Sequence, residues 1–492
     1  MRLTSPRRIR TLVFLSILIG SSRLASSFAT SAEPADRPNI VVIFTDDQGY
    51  ADVGCFGAKG FETPSLDRLA KQGARFTNFH VAQPVCSASR AGLLTGCYPN
   101  RIGIHGALGP KVTHGLNAQE TTIAEMLKQQ GYATGMAGKW HLGHHPQFLP
   151  IHHGFDEYYG LPYSNDMWPH HPGAGAGADY PKLPFIEGDK IIDAEVTADE
   201  QKQLTTRYTE RAVSFIDRNH DKPFFFYLAH SMPHVPLFVS DKFAGKSAKG
   251  IYGDVIMEID WSVGEVMKAL DRNGLTDKTW IIFTCDNGPW LNYGNHAGSA
   301  GSLREGKGTN WEGGTREPCI MRWPGHIPSG ATNDRLMSTI DLLPTIAGRV
   351  GGALPKLPID GRDVWPLIAG VPDAKNPHDA YFFWYANNQL QAVISGDGEW
   401  KLILPHTYRT LNGRPGGHGG KPVQYDQRKV ERAELYHLQA DPNETTDVAA
   451  ANPTVVERLE KLADGARDDL GDALTKRVGR NVREPGRLPK SD

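Results

Sequence analysis

Pro84-Val85-Cys86-Ser87-Ala88-Ser89-Arg90-Ala91-Gly92-Leu93-Leu94-Thr95-Gly96 sets a cysteine four residues before an arginine, in a run that reads as a loop turning into a helix. A helix starting at Cys86 or Ser87 puts Arg90 one turn on, on the same face as Cys86. The first-turn N–H groups and the dipole of such a helix favour negative charge at that end. A nucleophile beside a fixed cation, at an anion-attracting helix start, suits attack on a sulfate or phosphate ester. Taken alone, Cys86 reads as a small buried side chain; the residues around it change that reading.

Outward from this stretch, apolar β-branched runs alternate with helical patterns. Asn39–Thr45, Tyr132–Ala137, Phe224–Ala229 and Trp280–Cys285 read as strands buried on both faces. Ser65–Gln72, Thr121–Gln130, Thr205–Asn219 and Val255–Arg272 read as helices, with Pro64 suited to a helix start and Gly73 and Gly131 to helix ends. This alternation predicts an α/β fold with a large, mainly parallel sheet flanked by helices. The composition shifts near Asn376, and Tyr381–Tyr385, Ala392–Ser395 and Trp400–Leu404 predict a smaller C-terminal antiparallel sheet. The expected division is a signal segment 1–32, a catalytic domain 33–375, an α+β subdomain 376–476 and a frayed Arg/Pro-rich tail 477–492. His144 to Asp189, rich in His, Pro, Gly and aromatics, reads as long surface loops over the site.

A chain of 492 residues, 39% hydrophobic and 22% charged, is ordinary for a globular protein able to bury a large core. Its net charge of −2 gives no long-range pull on nucleic acid or anionic membrane. Arg2, Arg7, Arg8 and Arg10 precede the apolar run Leu12–Gly20, and small residues follow to Ala32. That is the pattern of a signal peptide, and the run is far short of the ~20 residues a spanning helix needs. The expectation is an exported protein, periplasmic or secreted, with no membrane span after signal removal. The five cysteines are Cys55, Cys86, Cys97, Cys285 and Cys319. An odd count leaves at least one unpaired; with Cys86 set aside, the other four allow three pairings.

The candidate chemistry clusters after the predicted strands, where ligands bind in such sheets. Asp46-Asp47 follow the first strand and Asp286-Asn287 a later one, a hard-oxygen set suited to Ca²⁺ or Mg²⁺; either pair alone is also a helix cap or turn. In extended chain Lys139 and His141 face together while Trp140 points away, and they offer a cation and a proton carrier. His230 and His234 lie in a proline-stiffened loop after Phe224–Ala229. Gly306-Lys307-Gly308 opens a glycine-rich loop that lacks the spacing and Lys-Ser/Thr ending of a phosphate loop.

Cys86-Ser87-Ala88-Ser89-Arg90, followed by Leu94-Thr95-Gly96, resembles the sulfatase signature Cys-x-Pro-x-Arg, with Ala88 where proline is usual. Gly138-Lys139-Trp140-His141, the segment Gly306 to Pro318 and Glu434-Leu435-Tyr436 resemble further motifs of that family, over about Pro38 to Pro442. Gly160 to Asp166 is similar to a segment of its arylsulfatase A and N-acetylgalactosamine-6-sulfatase-like branch. The resemblance implies an alkaline-phosphatase-like fold and hydrolysis of carbohydrate or aryl sulfate monoesters. It implies that a formylglycine-generating enzyme converts Cys86 to formylglycine, whose hydrate attacks sulfur. It assigns calcium to Asp46, Asp47, Asp286, Asn287 and residue 86, and sulfate binding to Lys139, Lys307, Ser164 and His234. Arg90 accompanies the nucleophile, His234 protonates the leaving oxygen and His141 is the base that breaks down the sulfated intermediate; His230 stays a supporting candidate. The competing readings are a phosphatase or phosphodiesterase on the same scaffold, an inactive binder of sulfated glycans, and a hydrolase using a free Cys86 thiol with His141.

Overall fold

The protein is described by a computed structural model covering residues 1–3, 37–171 and 179–489. All but the first three residues of the expected signal segment, and the whole Gly/Ala run 172–178 after His171, lie outside the described residues. In the core sheet the strands are β1 Asn39–Thr45, β2 Ala74–His80, β3 Ala133–Gly138, β4 Glu157–Gly160, β5 Phe185–Glu187, β6 Lys190–Asp193, β7 Phe224–Ala229, β8 Thr279–Cys285, β9 Arg316–Arg322 and β10 Ala331–Asn333. Their order across the sheet is β10-β2-β9-β8-β1-β7-β3-β4-β5-β6, and the short strand Met337–Ser338 also pairs with β2. The five central strands, β8-β1-β7-β3-β4, are parallel; β9 lies antiparallel between β8 and β2.

All seven residues of β1 are buried, as its unbroken apolar run requires of a strand covered on both faces. Ile40, Val42 and Phe44 point into one core, and Val41 and Ile43 into the other. Helices α1 Pro64–Gln72, α2 Cys86–Thr95, α3 Ile123–Gln129, α4 Leu204–Arg218, α5 Ile251–Arg272 and α6 Leu342–Val350 cover the sheet. The first core takes side chains of α2, α3 and α6, and the second those of α1, α4 and α5. The expected Thr121–Gln130 helix starts two residues later because Thr122 caps it. Its hydroxyl accepts from the Glu125 N–H at 3.1 Å, and the Glu125 carboxylate accepts from the Thr122 N–H at 2.7 Å.

The second sheet, order Ala380–Tyr385, Gln389–Ser395, Trp400–Ile403, Glu434–His437, is antiparallel and packs with helix α7 Pro453–Leu470 in its own core. The described residues from 37 onward form one compact unit.

Three features depart from the sequence reading. The stretch from His144 to Asp189, read as surface loops, contributes β4 and β5 to the main sheet. The C-terminal segment expected to fray runs back along the body: Arg483 donates to the Glu120 carboxylate at 2.7 and 2.8 Å, and Gly486–Arg487 pair with His114–Gly115. All five cysteines carry free thiols.

A buried charge network joins the second sheet to the loop after the glycine-rich segment. Lys401, fully buried, lies 2.8 Å from Glu312 and 2.9 Å from Glu444, whose side chains are also fully enclosed. Removing one member of such a group leaves uncompensated charge in a low-dielectric interior. Lys401→Ala is therefore expected to cost about 3–5 kcal/mol, read as a fall in the urea midpoint. A stability within about 1 kcal/mol of the parent would contradict this reading of the network.

Candidate active site

Strand register brings the candidate residues together. Thr45 pairs with Cys285, so Asp46-Asp47 and Asp286-Asn287 leave the sheet level with one another. Ala229 pairs with Phe44 of β1 and with Gly138 of β3, so Lys139 and the loop His230–Pro236 emerge beside them. Gly138 closes this arrangement: its φ is 119°, and a Cβ there would sit 1.7 Å from the Ala229 carbonyl oxygen, so only glycine fits. Ser164 follows β4, the next parallel strand.

Helix α2 begins at Cys86, so the thiol stands at the helix start and Arg90 one turn behind it. Cys86 Sγ is 3.6 Å from Asp46 Oδ1 and 3.3 Å from Lys307 Nζ. Burial pushes the Cys86 thiol well above its usual range in spite of Lys139 and Lys307. No histidine ring nitrogen hydrogen-bonds the sulfur among the described residues.

Arg90 is fully buried and turned toward the carboxylates. It donates to Asp286 Oδ2 at 2.8 and 3.2 Å and to the Lys139 carbonyl at 3.0 Å, and its Nη2 is 3.3 Å from Asp46 Oδ2. Lys139 pairs with Asp46 and donates to Ser164 Oγ at 3.0 Å. Lys307 is 2.6 Å from Asp47 Oδ1. Burial would raise the Asp46 carboxyl, but the fields of Lys139, His234, Arg90 and Lys307 outweigh it and hold it far below the carboxylate range. Burial and the Asp46 charge push Asp286 up to about 7. Crowded, buried carboxylates of this kind favour a bound cation.

Ligand atoms of Asp46, Asp47, Cys86 and His234 all lie within 4.8 Å of one another. Asn287 donates its amide to Asp47 Oδ1 at 2.7 Å, which leaves its own Oδ1 buried without a partner; Asp47 Oδ2 is likewise buried without a hydrogen bond. These unclaimed oxygens are the donors a hard divalent ion would take. His234 joins this group, which the sequence reading did not give it.

His234 Nδ1 donates to the Val235 carbonyl at 2.6 Å, and Nε2 faces Asp47 Oδ2 at 3.5 Å. A carbonyl only accepts, so the hydrogen on Nδ1 is fixed and exchange is left to Nε2. His141 is buried, has a φ of 61°, and neither of its ring nitrogens has a partner. Burial, with Lys139 and Arg90 nearby, lowers its pKa far below the usual imidazole value, so the ring rests neutral with a nitrogen lone pair unclaimed. Trp140 points away from the site, its indole N–H donating to the Phe148 carbonyl at 2.7 Å.

The matched family description is Sulfatase, over residues 38–352. The chain belongs to the sulfatase family. It is 38% identical over 463 residues to arylsulfatase A of Homo sapiens, covering 89% of each chain. It is 35% identical over 467 residues to N-acetylgalactosamine-6-sulfatase of Canis lupus familiaris, covering 89% of this chain and 87% of that one. Among solved structures, Ps i-CgsB in complex with k-i-k-neocarrahexaose superposes with a TM-score of 0.71 at 29% identity, over 87% of this chain and 92% of that one. As a sulfatase, the chain is a hydrolase of sulfuric esters.

In this sulfatase the candidate catalytic and metal-ligating residues converge on one site. His230 stands apart: its Nε2 meets Ser262 Oγ at 3.2 Å, and burial lowers its pKa to about 3. Two residues passed over in the sequence also line the site. Trp290 follows Asp286-Asn287-Gly288-Pro289 directly, and Lys307 Nζ lies 4.4 Å from its ring centre. Asp166 ends the very segment that supplies Ser164, and Ser164 hydrogen-bonds its carboxylate. Position beside a motif was the available signal for both.

His230→Ala is expected to keep kcat/KM within roughly fivefold of the parent, while stability falls by about 1–3 kcal/mol for the hydrogen bond and packing removed. A loss of turnover in a variant that stays folded would give His230 a part in the chemistry.

Proposed function

We propose that this chain hydrolyses carbohydrate or aryl sulfate monoesters, with formylglycine made from Cys86 as nucleophile and a calcium ion in the site. The observation that carries this reading is the setting of Cys86. It stands at a helix start, between a carboxylate and a lysine, with its thiol pushed up and no histidine hydrogen-bonded to it. A thiol hydrolase needs a thiolate with a base hydrogen-bonded to it; His234 lies within 4.8 Å of the sulfur, but its Nδ1 is committed to the Val235 carbonyl and its Nε2 faces Asp47.

Conversion of Cys86 would replace the thiol with a hydrated aldehyde, one hydroxyl to attack sulfur and another whose loss of a proton lets sulfate leave. Calcium, held by Asp46, Asp47, Asp286, Asn287 and residue 86, would supply Lewis-acid polarisation and charge neutralisation. The protein's own groups do the rest. Lys139 and Lys307 each keep ammonium donors beyond their carboxylate partners, and these bind sulfate oxygens as charge builds on them. Ser164 orients Lys139. Arg90 holds Asp286 and the Lys139 backbone, fixing the carboxylates and the α2 start as one unit. His234 delivers a proton from Nε2 to the departing alcohol oxygen. His141, neutral and unpartnered, takes the second hydroxyl proton.

Carbohydrate sulfates are favoured by the relatives: one is named for N-acetylgalactosamine 6-sulfate and one solved structure holds k-i-k-neocarrahexaose. Export is proposed from the N-terminal pattern, and no described helix is long and apolar enough to cross a membrane. A formylglycine-generating enzyme is the implied maturation partner.

The test is sulfate release from a sulfate monoester panel. Cys86→Ala and Lys139→Ala are expected to lower kcat by roughly 10³-fold or more. EDTA is expected to inhibit, with Ca²⁺ restoring activity better than Zn²⁺. Full turnover by Cys86→Ala would overturn the nucleophile, and full turnover by metal-free protein would overturn the ion.

A further inference from the structure

The groups that would grip the sulfate are almost entirely enclosed: Cys86, His141 and His234 are 2%, 1% and 2% exposed, and Lys307 is 5% exposed. The alcohol half of a substrate must therefore meet the residues just outside them. Trp290 is half-buried there. Its ring centre lies 4.4 Å from Lys307 Nζ and 5.5 Å from the His234 ring, the histidine proposed to protonate the leaving oxygen. Its indole N–H is buried without an acceptor. Tyr293 packs edge-on against it at 5.0 Å.

The indole is held in place before any ligand arrives. Two residues on, the Asn292 N–H donates to Tyr425 Oη at 3.1 Å, and the Asn292 side-chain amide donates to the Val423 carbonyl at 2.8 Å. The Gly417 and Val423 N–H groups donate to the Asn292 carbonyl at 2.9 and 3.0 Å. The partners all belong to the excursion between strands His406–Thr410 and Asp426–Val430 of the C-terminal part. A rigid aromatic surface of this kind binds without an ordering cost.

Asp166 is the second component. Its Oδ1 is buried with no partner, and Ser164, which accepts from Lys139 at 3.0 Å, hydrogen-bonds the carboxylate, so it stands beside the Lys139 side of the sulfate groups. A buried carboxylate oxygen without a donor is costly. A hydroxyl on the substrate would satisfy it, and an aryl ring would not.

We infer that the Trp290 indole and the Asp166 carboxylate form the subsite for the alcohol half of the substrate, and that this half is a hexose whose ring C–H face lies on Trp290 while a free hydroxyl near the sulfate donates to Asp166. The inference rests on the sulfatase reading above and narrows it from carbohydrate or aryl sulfates to sugar sulfates. A second anionic group beside the ester is disfavoured by the same carboxylate, so the fitting unit carries a single sulfate.

The experiment compares kcat/KM on galactose 6-sulfate and N-acetylgalactosamine 6-sulfate with that on 4-nitrophenyl sulfate. Asp166→Ala is expected to lose at least roughly tenfold more on the sugar sulfates than on the aryl sulfate, because a site built to bind a hydroxyl discriminates through it. Trp290→Ala is expected to raise KM for the sugar sulfates by roughly tenfold with a smaller change in kcat, and Trp290→Phe, which keeps a flat ring and the fold, to recover most of that loss. Equal losses on both substrate classes for Asp166→Ala would mean that Asp166 serves Lys139 through Ser164, and would overturn the subsite. So would a parent enzyme that cleaves 4-nitrophenyl sulfate and neither sugar sulfate. A parent inactive on these three esters that releases sulfate from another ester of the panel would overturn the hexose assignment alone, whereas release from no ester of the panel would remove the activity proposed above and this inference with it.

Discussion

The parallel pairing of Thr45 with Cys285 is the constraint on which the site depends. It ends two neighbouring strands at the same height, so the next residues are Asp46 and Asp286, buried side by side. Burial first, and then the Asp46 charge, push Asp286 up to about 7. Everything around them answers that problem. Arg90 reaches both carboxylates from α2, Lys139 reaches Asp46 from the end of β3, and Lys307 reaches Asp47 from the glycine-rich loop. The three cations roughly balance Asp46, Asp47 and Asp286, so a divalent ion would leave the site positive, as an anionic ester requires.

The C-terminal part is built into this site rather than appended to it. Arg409 donates to the Lys307 carbonyl, its Nε at 3.0 Å, and the Lys401 network holds Glu312 just beyond the same loop. The position of the Lys307 ammonium thus depends on residues about a hundred places later in the chain.

Most of the central architecture was legible because burial on both faces writes a continuous apolar run. Asn39–Thr45 and Phe224–Ala229 match their strands end to end, and α2 starts at Cys86, one of the two expected starts, Cys86 or Ser87. What stayed hidden depends on contacts between distant segments. β2 and β9 pair antiparallel across 236 or more positions with a bulge between Glu317 and Cys319, and neither has a strongly apolar pattern. β4 is a four-residue strand in a His- and Pro-rich region whose composition signals loop. The tail around Arg483 is polar, and only the partner Glu120 makes it ordered. Arg90 was read as a cation for the ester, whereas its donors face Asp286, Asp46 and a carbonyl, a direction that spacing along a helix does not specify. The three possible cysteine pairings dissolve because Cys55, Cys97, Cys285 and Cys319 are all free thiols.

The central claim is that Cys86 serves as the precursor of an aldehyde and not as a thiol. Peptide mass spectrometry across Cys86, on protein from its native host, tests it most directly. The account predicts a mass about 18 Da below that of the cysteine peptide, the signature of formylglycine. A full-mass peptide whose thiol is alkylated, from protein that is active on sulfate esters, would contradict it.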